Sequence, residues 1–167
     1  IKLAVFGVGE RLLGEEKDSE LSFDALRLSL YELFPGNWNL PIADLGDISP
    51  GHSRADTLFA VQKVVESLFQ SDVIPIILGG GQDLVYAQYR GYTHLNKMLH
   101  YVNIDNRFDI GDMEAPISNR SYVGKMVSVE PYRLFNYTVL GYQSCYNSAD
   151  EITLLDKLLF DAYRLGN

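Results

Sequence analysis

Val73-Ile74-Pro75-Ile76-Ile77-Leu78 runs directly into Gly79-Gly80-Gly81-Gln82-Asp83, and Met98-Leu99-His100-Tyr101-Val102-Asn103-Ile104 runs into Asp105-Asn106-Arg107-Phe108-Asp109. Each stretch is a short hydrophobic run that ends in a polar cluster. Strands of an open parallel sheet carry their functional residues at their C-terminal ends, in the crevice outside the sheet. Two such ends facing one crevice would bring Gln82, Asp83, Asp105, Arg107 and Asp109 together, with Gly80 and Gly81 beside them.

Around these two stretches strands and helices alternate. Lys2–Val8 is uniformly apolar, as a strand buried on both faces is. Residues 9–20 read as a solvated loop, with a Glu15-Glu16-Lys17-Asp18 charge run. Ser22 is placed to cap a helix over Phe23–Leu33, with Leu26, Leu30 and Leu33 as its apolar stripe and Pro35-Gly36 as its stop. A strand at Ile42–Ile48 precedes a helix from Arg54 to Phe69, whose Leu58, Val61, Val65 and Leu68 are helically spaced. Strands at Val73–Leu78 and Leu99–Ile104 flank a helix that opens near Gln82 or Asp83 and reaches Tyr92. A short helix over Ser118–Val127, a strand over Phe135–Tyr142 and a last helix follow. That helix opens at Ser148 with Glu151 as its capping-box partner, and the spacing of Ile152, Leu155, Leu159 and Tyr163 carries it to Gly166. This alternation predicts a three-layer α/β/α domain with a mostly parallel sheet.

The chain has 167 residues, enough for one domain with a real core. At 47% apolar and 22% charged residues it is globular in composition. The net charge of −8 leaves no electrostatic footprint for nucleic acid or an anionic membrane surface. No apolar run approaches the roughly 20 residues of a membrane span. Cys145 stands alone, which excludes an internal disulfide and fits a cytoplasmic, reducing compartment. The chain opens on Ile1 inside a strand pattern, so it reads as cut at its start.

The glycines permit a tight turn and close backbone approach, and a helix N-terminus after them favours small anions. No Lys-Ser/Thr follows them, so a P-loop is excluded. Gly7-Val8-Gly9 has Leu12 where a dinucleotide fingerprint needs its third glycine. In the second cluster Asp105, Arg107 and Asp109 alternate, so an extended segment points them to one side. Two carboxylates so placed form a hard-metal half-site when the central residue is neutral. Here the centre is a guanidinium, which makes charge-assisted hydrogen bonds to carboxylates and supplies the positive charge itself. Arg107 is thus expected to bridge Asp105 and Asp109. His52, His94 and His100 offer no metal set; strand alternation puts His100 on the face opposite Asp105. Cys145 has no histidine near it in sequence to make a nucleophilic pair.

At these residues the chain resembles the ureohydrolase superfamily of arginase, agmatinase and formimidoylglutamase. Pro75–Asp83 resembles that family's Gly-Gly-Asp-His-Ser segment with its preceding strand, and Val102–Asp109 its Asp-Ala-His-x-Asp segment. Asn136–Gln143 is similar to its later Ile-Gly-x-Arg or Ile-Gly-x-Gln strand. The resemblance implies an arginase-like fold, the N-terminal portion of a longer chain whose C-terminal part is missing, and a manganese pair bridging a hydroxide that attacks a guanidinium or amidino carbon. It implies metal ligands at Asp105 and Asp109. The family's histidines fall on Gln82 and Arg107, its Gly-Gly-Asp aspartate falls on Gly81, and no Asp-x-Asp strand follows before Asn167. Gln82 and Arg107 are therefore degenerate ligand positions, Gly80, Gly81 and Asp83 line the crevice, and no catalytic residue is assigned. Arginine stays protonated and cannot coordinate a metal. The expectation is an arginase-family protein that is metal-free and catalytically impaired as given. The alternative is a manganese-dependent C–N hydrolase of a guanidino, amidino or formimino substrate in the full-length protein. Expected partners are a small guanidino or amidino ligand and a second copy of the chain, with no nucleic acid and no membrane.

Overall fold

The computed structural model describes residues 2–9, 23–34, 36–37 and 39–166. The expected 9–20 loop beyond Gly9, the Ser22 cap and Pro35 lie outside the described residues. The chain packs as two compact units, Ile1–Tyr92 and Thr93–Asn167; among the described residues each is built on its own three-stranded sheet with every pairing parallel.

The first unit contains β1 (Lys2–Val8), α1 (Asp24–Tyr31), β2 (Ile42–Ile48), α2 (Arg54–Gln70), β3 (Val73–Leu78) and α3 (Leu84–Tyr92). Its strand order is β2-β1-β3. After the exposed Lys2 the central strand is apolar because both of its faces are covered: Ala4, Val5, Phe6 and Val8 are all buried. The path from β1 to β2 runs one way along the sheet and the path from β2 to β3 runs back. Right-handed crossovers then place α1 and α2 on opposite faces. Helix α2 begins with the full capping box of Ser53 and Asp56. It turns Leu58, Val61 and Val65 inward, as the spacing predicts, and packs along α3.

Helix α1 departs from expectation. Leu26 and Leu33 are exposed, and the residue that the helix buries is Arg27. Its Nε donates to Asp44 at 2.9 Å, Nη1 and Nη2 donate to Asp47 at 2.9 and 2.5 Å, and Nη2 also reaches the Gly46 carbonyl at 2.9 Å. Charge pairing with the end of β2, rather than the leucine stripe, sets the face that α1 presents.

The second unit contains β4 (Leu99–Ile104), α4 (Tyr122–Ser128), β5 (Leu134–Tyr142), α5 (Ala149–Lys157) and β6 (Asp161–Arg164), in the order β4-β5-β6. Both crossovers run in one direction, so α4 and α5 share one face. Tyr137, Val139, Tyr122 and Leu155 are buried on that side. On the other face Val102, Ile104 and Tyr163 are exposed, Ile104 at 84%. Among the described residues no helix is long and apolar enough to cross a membrane.

Two boundaries differ from the sequence reading by more than two residues. Helix α4 starts at Tyr122 because Ser118–Ser121 is occupied by a turn, closed by Ser121 N–H to Ser118 O at 3.1 Å and Ser118 N–H to Ser121 Oγ at 3.0 Å. The last helix does not reach Gly166. It stops at Lys157, Leu159 sits in the left-handed region at φ 58°, and the chain turns into β6. Phe160 N–H bonds Leu155 O and Leu159 N–H bonds Asp156 O, both at 3.1 Å, the paired closure of a Schellman motif. Asp161, expected in the terminal helix, therefore opens a strand. A side chain in the left-handed region costs about 1 kcal/mol, and Leu159 is 86% exposed, so it gives little packing back. Leu159→Gly should raise stability by about 1 kcal/mol, or about 3 °C in Tm; an unchanged or lower melting temperature would count against this account of the turn.

Candidate functional site

The end of β3 belongs to the first unit. At Gly79 a Cβ would lie 2.3 Å from Leu84 Cδ1, so a side chain there would make the Leu84 side chain at the start of α3 shift. Gly80 and Gln82 are exposed, while Gly81 and Asp83 are buried. Asp83 does not stand open as the crevice reading requires. It receives Arg54 in a bidentate pair, Nε to Oδ2 at 2.7 Å and Nη2 to Oδ1. This ties the first residue of α2 to the residue before α3, and it holds the glycine turn between two helix starts.

The end of β4 carries the second unit's polar cluster. The strand leaves its extended path at Asp105, whose Oδ1 accepts the Arg107 N–H at 3.1 Å. Asp109 is turned back at φ 52°. Alternation therefore fails over these five residues, and the expected bridge is absent. The Arg107 guanidinium turns instead to Tyr146, donating from Nη1 to its carbonyl at 3.1 Å and lying 5.0 Å from the centre of its ring. Asp109 is 2% exposed, and neither carboxylate oxygen makes a hydrogen bond of good geometry, although the Tyr122 hydroxyl lies close enough to pull its pKa down. Burial and then the neighbouring Asp105 charge push its pKa up to about 7, against the opposing pull of Tyr122 and Arg107.

Beneath this loop lies a polar network that the sequence reading missed. Asn103 Nδ2 donates to the Tyr122 and Tyr137 hydroxyls at 3.4 and 3.3 Å. The Tyr101 and Tyr122 hydroxyls are 3.1 Å apart, and Tyr137 OH donates to the Phe108 carbonyl at 3.0 Å. The Tyr101 and Tyr137 rings stack at 5.3 Å. Burial holds the Tyr122 and Tyr137 hydroxyls protonated, so the network acts as a fixed prop for the residue before Asp109. Its only signal in sequence was Tyr101 and Asn103 alternating with apolar residues along β4. From the other side Asn147 stitches the loop down, with Oδ1 accepting Phe108 N–H at 2.8 Å and Nδ2 donating to Asn106 O at 2.9 Å.

A cavity of about 440 Å³ opens over this loop, lined by Arg107, Asp109, Arg120, Tyr146, Asp150 and Glu151 among others. Two arginines and three acidic residues thus line one space. Glu151 is already committed to the Ser148 cap and to Gly111 N–H. His100 lies on the opposite face of the sheet, as expected, with Nε2 2.8 Å from Thr138 Oγ1.

Residues 17–165 match the family model described as the Arginase family. The chain belongs to the arginase family. It is 32% identical over 139 residues to a formimidoylglutamase of Geobacillus thermodenitrificans, covering 77% of this chain and 40% of that protein. To the Streptococcus gordonii formimidoylglutamase it is 30% identical over 117 residues, covering 66% and 36%. Its fold matches Trypanosoma cruzi formiminoglutamase crystallised with Mn2+ (TM-score 0.79, 15% identity, 98% of this chain and 60% of that one). It also matches Bacillus subtilis arginase (TM-score 0.77, 14% identity, 98% and 63%). The arginase-like α/β fold with parallel sheets stands on these matches, and the chain spans under half the length of the curated relatives.

The residues present do not fit a manganese ion. Among the described residues no three His, Cys, Asp or Glu side chains are grouped to hold a metal. Arg107 brings a fixed positive charge into the stretch between the two carboxylates and has no lone pair to give.

Proposed function

We propose that this arginase-family chain is metal-free and catalytically impaired as it stands, and that it acts as a ligand-binding or assembly module. One observation carries the reading: the guanidinium of Arg107, at a position where the family resemblance calls for a histidine ligand, is bound to Tyr146 and lines the same cavity as Asp109. A permanent cation there opposes a divalent ion electrostatically. The cavity keeps charges of both signs, which suits a small polar ligand.

A second reading is a metal-dependent hydrolase of a C–N bond in a guanidino, amidino or formimino compound, realised in a longer protein. The poorly satisfied oxygens of Asp109 favour it, because a buried carboxylate without a well-placed donor is where a cation would be expected. Elemental analysis after incubation with excess manganese and gel filtration separates the two. The metal-free reading expects no retained manganese; one ion or more per chain would reject it and send the chain to hydrolysis assays on guanidino and formimino compounds.

A further inference from the structure

We infer that the open edge of β4 is a self-association surface: two copies of this chain pair β4 against β4, antiparallel about a two-fold axis, and join their second-unit sheets into one. This rests on the assembly part of the proposed function and names the surface and its occupant.

Among the described residues four strands sit at sheet edges, and three of them are blunted. β2 bulges where Leu45 and Gly46 fall between its paired residues, β3 carries Pro75, and β6 is four residues long with Asp161 and Arg164 at its ends. Bulges, prolines, shortness and charge are the usual protections of an edge. β4 has none of them. Leu99–Ile104 holds no proline and no Asp, Glu, Lys or Arg, and it pairs residue for residue from His100 to Ile104. The Leu99 N–H bonds Arg133 O at 2.7 Å and the Asp105 N–H bonds Leu140 O at 3.1 Å, both toward β5. Alternation along the strand then turns the N–H and C=O of His100, Val102 and Ile104 to the open edge. Val102, Ile104 and Met98, just before the strand, are each more than half exposed.

The residues of this edge fit a second copy. An antiparallel pairing centred on Tyr101 sets Val102 opposite His100 of the second copy, and each of the two symmetric pairs exchanges hydrogen bonds across the axis. It also brings Met98 to Ile104 of the second copy, so apolar side chains that face water in one copy cover each other. Lys97 meets Asp105 of the second copy, which sets opposite charges together at both ends of the ladder. Centring on Val102 instead would set Lys97 against Arg107 of the second copy, a like-charge pair. The contact is isologous and uses the β4 edge of each copy, so it closes at two.

The test is sedimentation velocity of the full chain over about 1–100 μM, the range in which a contact of modest size shows its equilibrium. The native mass should rise with concentration toward twice 18.8 kDa. Val102→Pro removes an N–H that faces the edge and none that bonds β5, and it should leave the chain monomeric at the top of that range. Ile104→Lys plants a charge on the same edge at an exposed position, should have the same effect, and stands in if the proline variant does not fold by circular dichroism. Lys97→Glu should weaken the dimer about tenfold at low salt and less at high salt. A native chain that stays monomeric overturns the inference, and so does a dimer that both edge variants leave intact, because the contact is then elsewhere. A dimer that Lys97→Glu leaves unchanged at low salt overturns the pairing centred on Tyr101. Manganese retention is read separately: a dimer that retains manganese keeps this inference and rejects the metal-free reading, and a monomer that retains none does the reverse.

Discussion

Asp109→Asn should stabilise the chain at pH 8 by about 2–4 kcal/mol and change it little at pH 4. The Asp109 carboxyl has its pKa raised to about 7, first by burial and then by the Asp105 charge, against about 3.9 in the unfolded chain. Below about pH 4 it is protonated in both states and contributes nothing to the pH dependence. Between about pH 4 and 7 the folded state holds the proton that the unfolded state releases, so stability falls as pH rises. Above about pH 7 the folded state carries a buried charge whose oxygens lack a well-placed donor, and the penalty is fully developed at about 4 kcal/mol. Asparagine cannot ionise, and it tolerates the φ of 52° as well as aspartate does. Urea unfolding of both proteins across pH 4–8 reads this directly, because titrating groups that do not interact with Asp109 cancel in the difference. A native-to-variant difference that stays flat with pH would show that Asp109 titrates like an exposed carboxyl.

The sequence exposed the periodic parts of this molecule and hid the long-range ones. Strands β1, β2, β3 and β4 fall on the expected residues because an apolar or alternating run bounded by turn residues has few other homes. The end of α5 was misread for a definite reason. Leu155, Leu159 and Tyr163 are spaced for a helix, and no glycine or proline marks the reversal at Leu159, which bears its left-handed backbone without the usual residue. Arg107 shows the same limit in the site. Alternation placed it between two carboxylates, but the strand ends at Ile104, and its partner Tyr146 is 39 positions away. Nothing local to residue 107 encodes that contact. Asn103 and Asn147 carry no local signal for the same reason, since each matters only through residues brought to it by the fold.

Arg27 offers the second large effect. Arg27→Met should lower stability by about 3 kcal/mol. The side chain is 8% exposed as a residue and satisfies two carboxylates and a carbonyl at once. Its pKa is raised further above the ordinary range, first by the hydrogen bond to Asp47. Methionine keeps most of the stem's packing, so the loss reports the guanidinium. Two effects set the size. Asp44 and Asp47 are left facing α1 without their cation, and Tyr31 OH, which donates to Asp44, can satisfy only one of them. Against this, the Asp47 side chain is 38% exposed, so water recovers part of the cost and the effect falls at the low end for a broken buried pair. The same geometry predicts a rescue. Asp47→Asn in the Arg27→Met background removes one of the uncompensated charges and should restore about 1 kcal/mol, although the same Asp47→Asn change in the native chain is destabilising. Gly7 shows how tightly the corner is built, since a Cβ there would lie 1.9 Å from Asp47 Oδ1 and 2.4 Å from the Phe23 ring. A double-mutant cycle by denaturant unfolding measures the coupling. Additive losses would mean that α1 is held by its apolar contacts after all, and that the leucine stripe read from the sequence does more than its exposure indicates.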